Sequence, residues 1–131
     1  MKKNLLFRLA ILLLIVVLPL QGCEGQKEEQ MRHVVIFKYK PNATDKEIEQ
    51  VTEALGGLKE TIPGIVAFEH GINDSPEDLN NGFTHIYMFT FENAAARDLY
   101  LPHPKHQEFG RMLGNLDILE DVFVVDYSPS E

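Results

Sequence analysis

In the run Tyr100-Leu101-Pro102-His103-Pro104-Lys105-His106 a phenol and two imidazoles stand close together. The two prolines restrict the backbone between them, because a pyrrolidine ring fixes φ. Such a segment can hold Tyr100 and His106, both able to exchange protons, in a fixed relation. Three further polar residues alternate with large apolar ones in strand-like stretches: His33 with Val35 and Phe37, His85 with Tyr87, and Asp126 with Val124. Alternate residues of a strand share a face, so these polar groups can share one. A single strand histidine is more often a hydrogen-bonded structural residue than a catalyst. If helices cover that face, Tyr100 and His106 can lean over it. The expected result is an apolar pocket with a few convergent polar groups, the usual form of a small-molecule site. No metal is expected at His33, His85, His103 or His106: no cysteine ligand is available, and no carboxylate stands at a familiar ligand spacing.

The elements that must position these residues follow from the apolar pattern. His33 to Tyr39 is rich in β-branched and aromatic residues and stops at Pro41-Asn42, which predicts a strand. Thr44 and Glu47 have capping-box spacing, and Ile48, Val51, Leu55, Leu58 and Ile62 recur at helical spacing, predicting a helix to about Thr61. Gly56-Gly57 within it costs about 1 kcal/mol per glycine, which points to close packing or a widened space there. Pro63-Gly64 ends the helix, and a second strand runs from Ile65 to Gly71. After a polar loop over 73–82, a third strand covers Phe83 to Glu92. A short helix from Asn93 to Tyr100, a helical piece from Pro104 to Leu113 closed by Gly114-Asn115, and a strand from Val122 to Tyr127 complete the chain. The order is β-α-β-β-α-β, a ferredoxin-like α+β fold.

The strands are apolar on both faces. Val34, Ile36, Ile86, Met88, Phe123 and Val125 lie opposite the face that carries the histidines. Sheets apolar on both faces are covered on both, yet this chain has helices enough for one. A second copy contributing its own sheet is the simplest cover, so a homodimer is expected.

The chain has 131 residues, room for one domain. It begins with Lys2, Lys3 and Arg8, followed by an apolar run from Leu9 to Leu20, which is the plan of an export signal over residues 1–22. The run is shorter than the roughly 20 apolar residues that span a bilayer. Leu20-Gln21-Gly22-Cys23 looks like a lipobox, in which lipid is attached to the cysteine after cleavage. That use accounts for the one cysteine of the chain, and residues 23–31 then form a polar tether. The expected location is outside the cytoplasmic membrane, held to it by lipid. The net charge of −8 becomes more acidic when the signal is removed. An acidic surface repels phosphate backbones, so nucleic acid is not an expected partner.

From about Arg32 to Pro129 the sequence resembles the stress-responsive A/B barrel (Dabb) proteins of the dimeric α/β-barrel superfamily. The marks are His33-Val34-Val35-Ile36-Phe37-Lys38, Gly82-Phe83-Thr84-His85-Ile86, the Tyr100 to His106 run and Val125-Asp126-Tyr127. The resemblance implies a domain over 32–129, a dimer, and no cofactor. One member of the family closes a linear polyketide by aldol condensation. By that resemblance Tyr100, His106 and Asp126 are the catalytic residues: His106 a general base oriented by Asp126, Tyr100 a stabiliser of charge on a carbonyl oxygen. His33, Val35, Phe37, Val51, Leu55, His85, Tyr87 and His103 would then line the ligand site.

Three readings follow from the sequence. The first is an enzyme performing acid–base chemistry of aldol, lyase or isomerase type on a small carbonyl compound. The second is a binding module that holds a small ligand without turning it over. The third is a structural dimeric domain whose histidines only satisfy hydrogen bonds. Similarity of fold alone does not choose among them.

Overall fold

A computed structural model describes residues 29–130; the signal segment and Cys23 lie outside them. The elements are β1 (Met31–Tyr39), α1 (Asp45–Thr61), β2 (Ile65–Ile72), β3 (His85–Phe91), α2 (Ala94–Tyr100), α3 (Pro104–Leu116) and β4 (Leu119–Tyr127). The four strands form one sheet in the order β2-β3-β1-β4, and every neighbouring pair is antiparallel. This is the ferredoxin-like arrangement, with its second helix broken into α2 and α3.

Local chemistry explains each boundary. Glu47 donates its backbone N–H to Thr44 Oγ1 at 3.3 Å, while Glu47 Oε2 accepts from the Thr44 N–H at 2.9 Å, which closes the capping box that starts α1. Gly64, with φ 87°, turns the chain from α1 into β2. Asn93 caps α2 by accepting from the Ala96 N–H at 2.8 Å, and Pro104 occupies the first turn of α3, where its missing N–H costs nothing. The helix does not stop at Gly114-Asn115. It continues to Leu116 and ends where Asp117 takes the left-handed conformation, φ 53° and ψ 34°, which Asp and Asn adopt more readily than other non-glycine residues. β4 accordingly begins at Leu119, three residues before the expected Val122, and β3 begins at His85, two residues after the expected Phe83.

The core lies on the sheet face that carries Phe37, Tyr87, Phe89 and Phe91, closed by Val51, Leu55 and Leu58 of α1, Tyr100 of α2 and Phe109 of α3. Gly56 sits under the Phe68 ring, which a Cβ there would meet at 3.3 Å, whereas Gly57 faces open space. One glycine of the pair thus serves close packing. The helices lean on β1, β2 and β3. β4 is left exposed on both faces, Val122 and Val124 on the helix side and Phe123 and Val125 on the other.

Candidate functional site

The strand register decides which polar residues meet. His33 pairs with Phe89 on one side and with Asp126 on the other, while His85 pairs with Phe37. His33 and His85 are therefore four residues apart along the sheet, about 13 Å at the rise of a strand. The five residues expected to converge on one cavity fall instead into two groups at opposite ends of one face.

The first group surrounds His33. Its Nδ1 lies 2.6 Å from Asp126 Oδ1, and the other oxygen of Asp126 is ion-paired with Arg97. Arg97 also reaches Asp98 at 2.8 Å. The His33 ring packs edge-on against Tyr100, with centroids 5.8 Å apart, and Tyr100, 1 % exposed, is enclosed by Phe89 and Phe91 as well. Burial holds His33 down to about 4, and the neighbouring His106 and Arg97 act in the same direction. The Asp126 carboxylate would favour an imidazolium, but its charge is already answered by Arg97. His33 is thus neutral near pH 7, donating from Nδ1 to Asp126.

The His106 ring lies against Tyr100, with centroids 4.3 Å apart and planes tilted by 35°. Its Nδ1 lies 2.9 Å from the Leu101 carbonyl, which also accepts from Gln107 Nε2 at 3.1 Å. A carbonyl only accepts, so His106 carries its proton on Nδ1 and leaves the Nε2 lone pair free as a base. The expected orientation of His106 by Asp126 is not what the structure shows. Asp126 holds His33, and the orienting group of His106 is the Leu101 carbonyl, one of the free carbonyls at the C-terminus of α2. Tyr100 is pushed well above the usual tyrosine range by burial, so its hydroxyl stays a donor.

The second group lines a cavity of ≈ 680 Å³ between α1 and the far ends of β2 and β3. Its walls are Asp45, Ile48, Glu49, Thr52 and Glu53 of α1, His70, Gly71 and Ile72 of β2, and His85 and Tyr87 of β3. Thr52 Oγ1 donates to the Ile48 carbonyl at 3.0 Å, Tyr87 donates to Thr52 at 2.9 Å, and Tyr39 donates to Tyr87 at 3.1 Å. The chain of hydroxyls has one direction because its last acceptor is a carbonyl. Burial and the bond to Tyr87 raise Tyr39 far above its ordinary value. His85 is lowered by burial and has Nδ1 2.9 Å from Thr84 Oγ1.

Among the expected ligand-site residues, His85 and Tyr87 line this cavity. Val51, Leu55 and Phe37 are packed in the core, with Val35 half-buried against them. His103 caps α3, its Nδ1 accepting from the Lys105 N–H at 3.2 Å, so that nitrogen serves the helix and not a ligand. Arg97, Thr52 and His70 were not among the expected site residues. Arg97 had a signal, since it stands three residues before Tyr100 and so on the same side of a helix. His70 had one too, because it alternates with Phe68 in β2.

A family model described as the stress responsive A/B barrel domain matches residues 31–129. The stress-response A/B barrel domain-containing protein HS1 of Arabidopsis thaliana is 36% identical over 101 residues, covering 76% of this chain and 90% of that protein. Olivetolic acid cyclase of Cannabis sativa is 26% identical over 99 residues, covering 76% and 96%. Among solved structures, hydroxynitrile lyase from Passiflora edulis superposes with TM-score 0.71 at 30% identity, covering 79% of this chain and 95% of that one. A dimeric ferredoxin-like protein of unknown function from Jannaschia sp. does so with TM-score 0.65 at 28% identity, covering 76% and 99%. From its sequence marks, its sheet order and these likenesses, the chain belongs to the stress responsive A/B barrel domain family.

Proposed function

We propose that this protein is a lipid-anchored homodimer performing cofactor-free lyase or cyclase chemistry on a small carbonyl compound, with His106 as general base and Tyr100 as hydrogen-bond donor. The observation that carries the reading is the Tyr100–His106 contact, in which the Leu101 carbonyl fixes the His106 tautomer and leaves Nε2 basic. In the proposed step a proton passes from the carbon beside the carbonyl to Nε2. The electron pair moves onto the carbonyl oxygen, and the Tyr100 O–H stabilises the charge that develops there. The names of two relatives, a cyclase and a lyase, are consistent with it. The dimer is supported by the uncovered apolar sheet face and by the dimeric relative.

The test is a turnover screen with small aldehydes and ketones that carry a hydrogen on the carbon beside the carbonyl. His106→Ala should lower turnover about a hundred- to ten-thousandfold, and Tyr100→Phe about a hundredfold. Equal turnover in wild type and His106→Ala would exclude the role assigned to His106. The full burial of Tyr100 favours a second reading, a non-catalytic binding module; it would show as ligand affinity with no turnover in any variant.

The anchor is proposed from Leu20-Gln21-Gly22-Cys23. A fatty-acid analogue fed to expressing cells should label the wild-type chain and not Cys23→Ser. Equal labelling of the two would refute lipidation at this residue.

A further inference from the structure

Tyr100 has a charged neighbour on its own helix. Arg97 stands three residues before it on α2, with a side chain only 19% exposed, and ion-pairs with one oxygen of Asp126. We infer that Arg97 is a positioning residue for the Tyr100–His106 pair: it acts through Asp126 on His33, the imidazole that meets the Tyr100 ring, and takes no part in the reaction itself. The inference rests on the reading of Tyr100 and His106 as the catalytic pair.

The geometry joins three elements at this point. The register of β1 and β4 sets Asp126 opposite His33, and Asp126 Oδ1 lies 2.6 Å from His33 Nδ1. Arg97 takes the other oxygen, so both are committed and neither is left for His106. The helices otherwise lean on β1, β2 and β3, which makes this ion pair a tie from α2 to the edge strand β4. His33 in turn meets Tyr100 with ring centroids 5.8 Å apart, and Tyr100 meets His106 at 4.3 Å. The contacts run in sequence from Arg97 to Asp126, His33, Tyr100 and His106.

The charges add a consequence that a simple brace would not have. His33 is faced by Asp126 of β4, by Arg97 and Tyr100 of α2 and by His106 of α3, while β3 presents Phe89 and Phe91. Asp98 lies beyond Arg97, bound to the same guanidinium. Of the groups that face His33, the Asp126 carboxylate is the one that would draw a proton onto the imidazole. With Arg97 on its outer oxygen that pull is offset, and burial keeps His33 uncharged. Without Arg97 the carboxylate would be answered by His33 itself, as an imidazolium. A second positive charge would then stand near His106 and make it a weaker base. Lysine carries the charge of arginine without its planar fork, so it separates the charge from the exact shape.

Long-range nitrogen–proton spectra of the full-length chain, labelled with nitrogen-15 and held in a non-ionic detergent, read the tautomer and charge of each histidine against pH. In wild type His33 should stay neutral, with its proton on Nδ1, down to about pH 5. In Arg97→Met it should become an imidazolium below about pH 7, and Arg97→Lys should restore the wild-type curve. Turnover of a carbonyl substrate by Arg97→Met should be about tenfold lower than wild type near pH 6, through kcat and not KM, with the deficit shrinking toward about pH 8. A His33 curve unchanged in Arg97→Met overturns the inference and leaves Arg97 a brace between α2 and β4. An imidazolium at His33 in wild type near pH 7 overturns it too, and that measurement needs no variant to fold. Arg97→Met combined with Asp126→Asn removes both partners of the ion pair and should return His33 to neutrality; an imidazolium there counts equally against it. The spectra need no substrate. Absence of turnover in every protein therefore removes the catalytic reading, while the control of His33 by Arg97 stands or falls on the histidine curves alone.

Discussion

His33 is neutral in the folded chain because burial, with His106 and Arg97 nearby, holds its pKa at about 4, against an ordinary 6.5. Between those values the unfolded chain binds a proton that the folded chain refuses. Stability therefore falls as pH drops from about 6.5 toward 4, by as much as about 3 kcal/mol from this residue. Urea denaturation across that window should show the loss in the wild-type chain and a flatter profile in His33→Gln. The same slope in both would assign the acid sensitivity elsewhere. The sequence placed Asp126 and His33 on one face but could not show them as partners, because which residues of two strands stand opposite is set by register. A single strand does not display its register. The pairing of Asp126 with His106 came from the family resemblance, and the strand register gives Asp126 to His33 instead. The Tyr100–His106 pair was legible because the prolines and the short spacing are local.

At the scale of elements, the turn from α1 to β2 is held by Gly64. Its φ of 87° disfavours any side chain, and a Cβ there would come within 2.6 Å of Ala96 Cβ on α2. Gly64→Ala should cost about 1–3 kcal/mol from backbone strain and overpacking, read as a lower midpoint in thermal unfolding with the helical circular dichroism retained. A neutral result would mean that α2 shifts to make room. The start of α1 was legible because its cap is written in two residues, Thr44 and Glu47. The end of α3 was not. Gly114 and Asn115 are tolerated inside the last turn, and the stop falls at Asp117, which takes the left-handed conformation and has its carboxylate 2.7 Å from the Lys40 ammonium of a distant segment. Tertiary contacts choose between neighbouring candidate stops, and composition does not reveal that choice.

At the scale of the molecule, Phe123 and Val125 are 53% and 39% exposed on the sheet face that no helix covers. In a dimer closed through this face, Val125→Lys would bury an unpaired charge, yet in a single chain the residue is exposed enough to accept lysine. Light scattering should give twice the chain mass for wild type and the chain mass for Val125→Lys, with unchanged circular dichroism. A wild-type chain of single mass would remove the dimer. Two-sided apolar strands made the need for a cover legible in the sequence, although the exposure of β4 on its helix side was not, since how far a helix reaches across a sheet depends on packing angles. The sheet also fixes which way the molecule faces. Arg32 pairs with Tyr127, so the two ends of the domain emerge side by side, at the His33 end of the sheet, while the cavity opens at the opposite end. A tether on the N-terminal segment would therefore join the domain at the end of the sheet remote from the cavity.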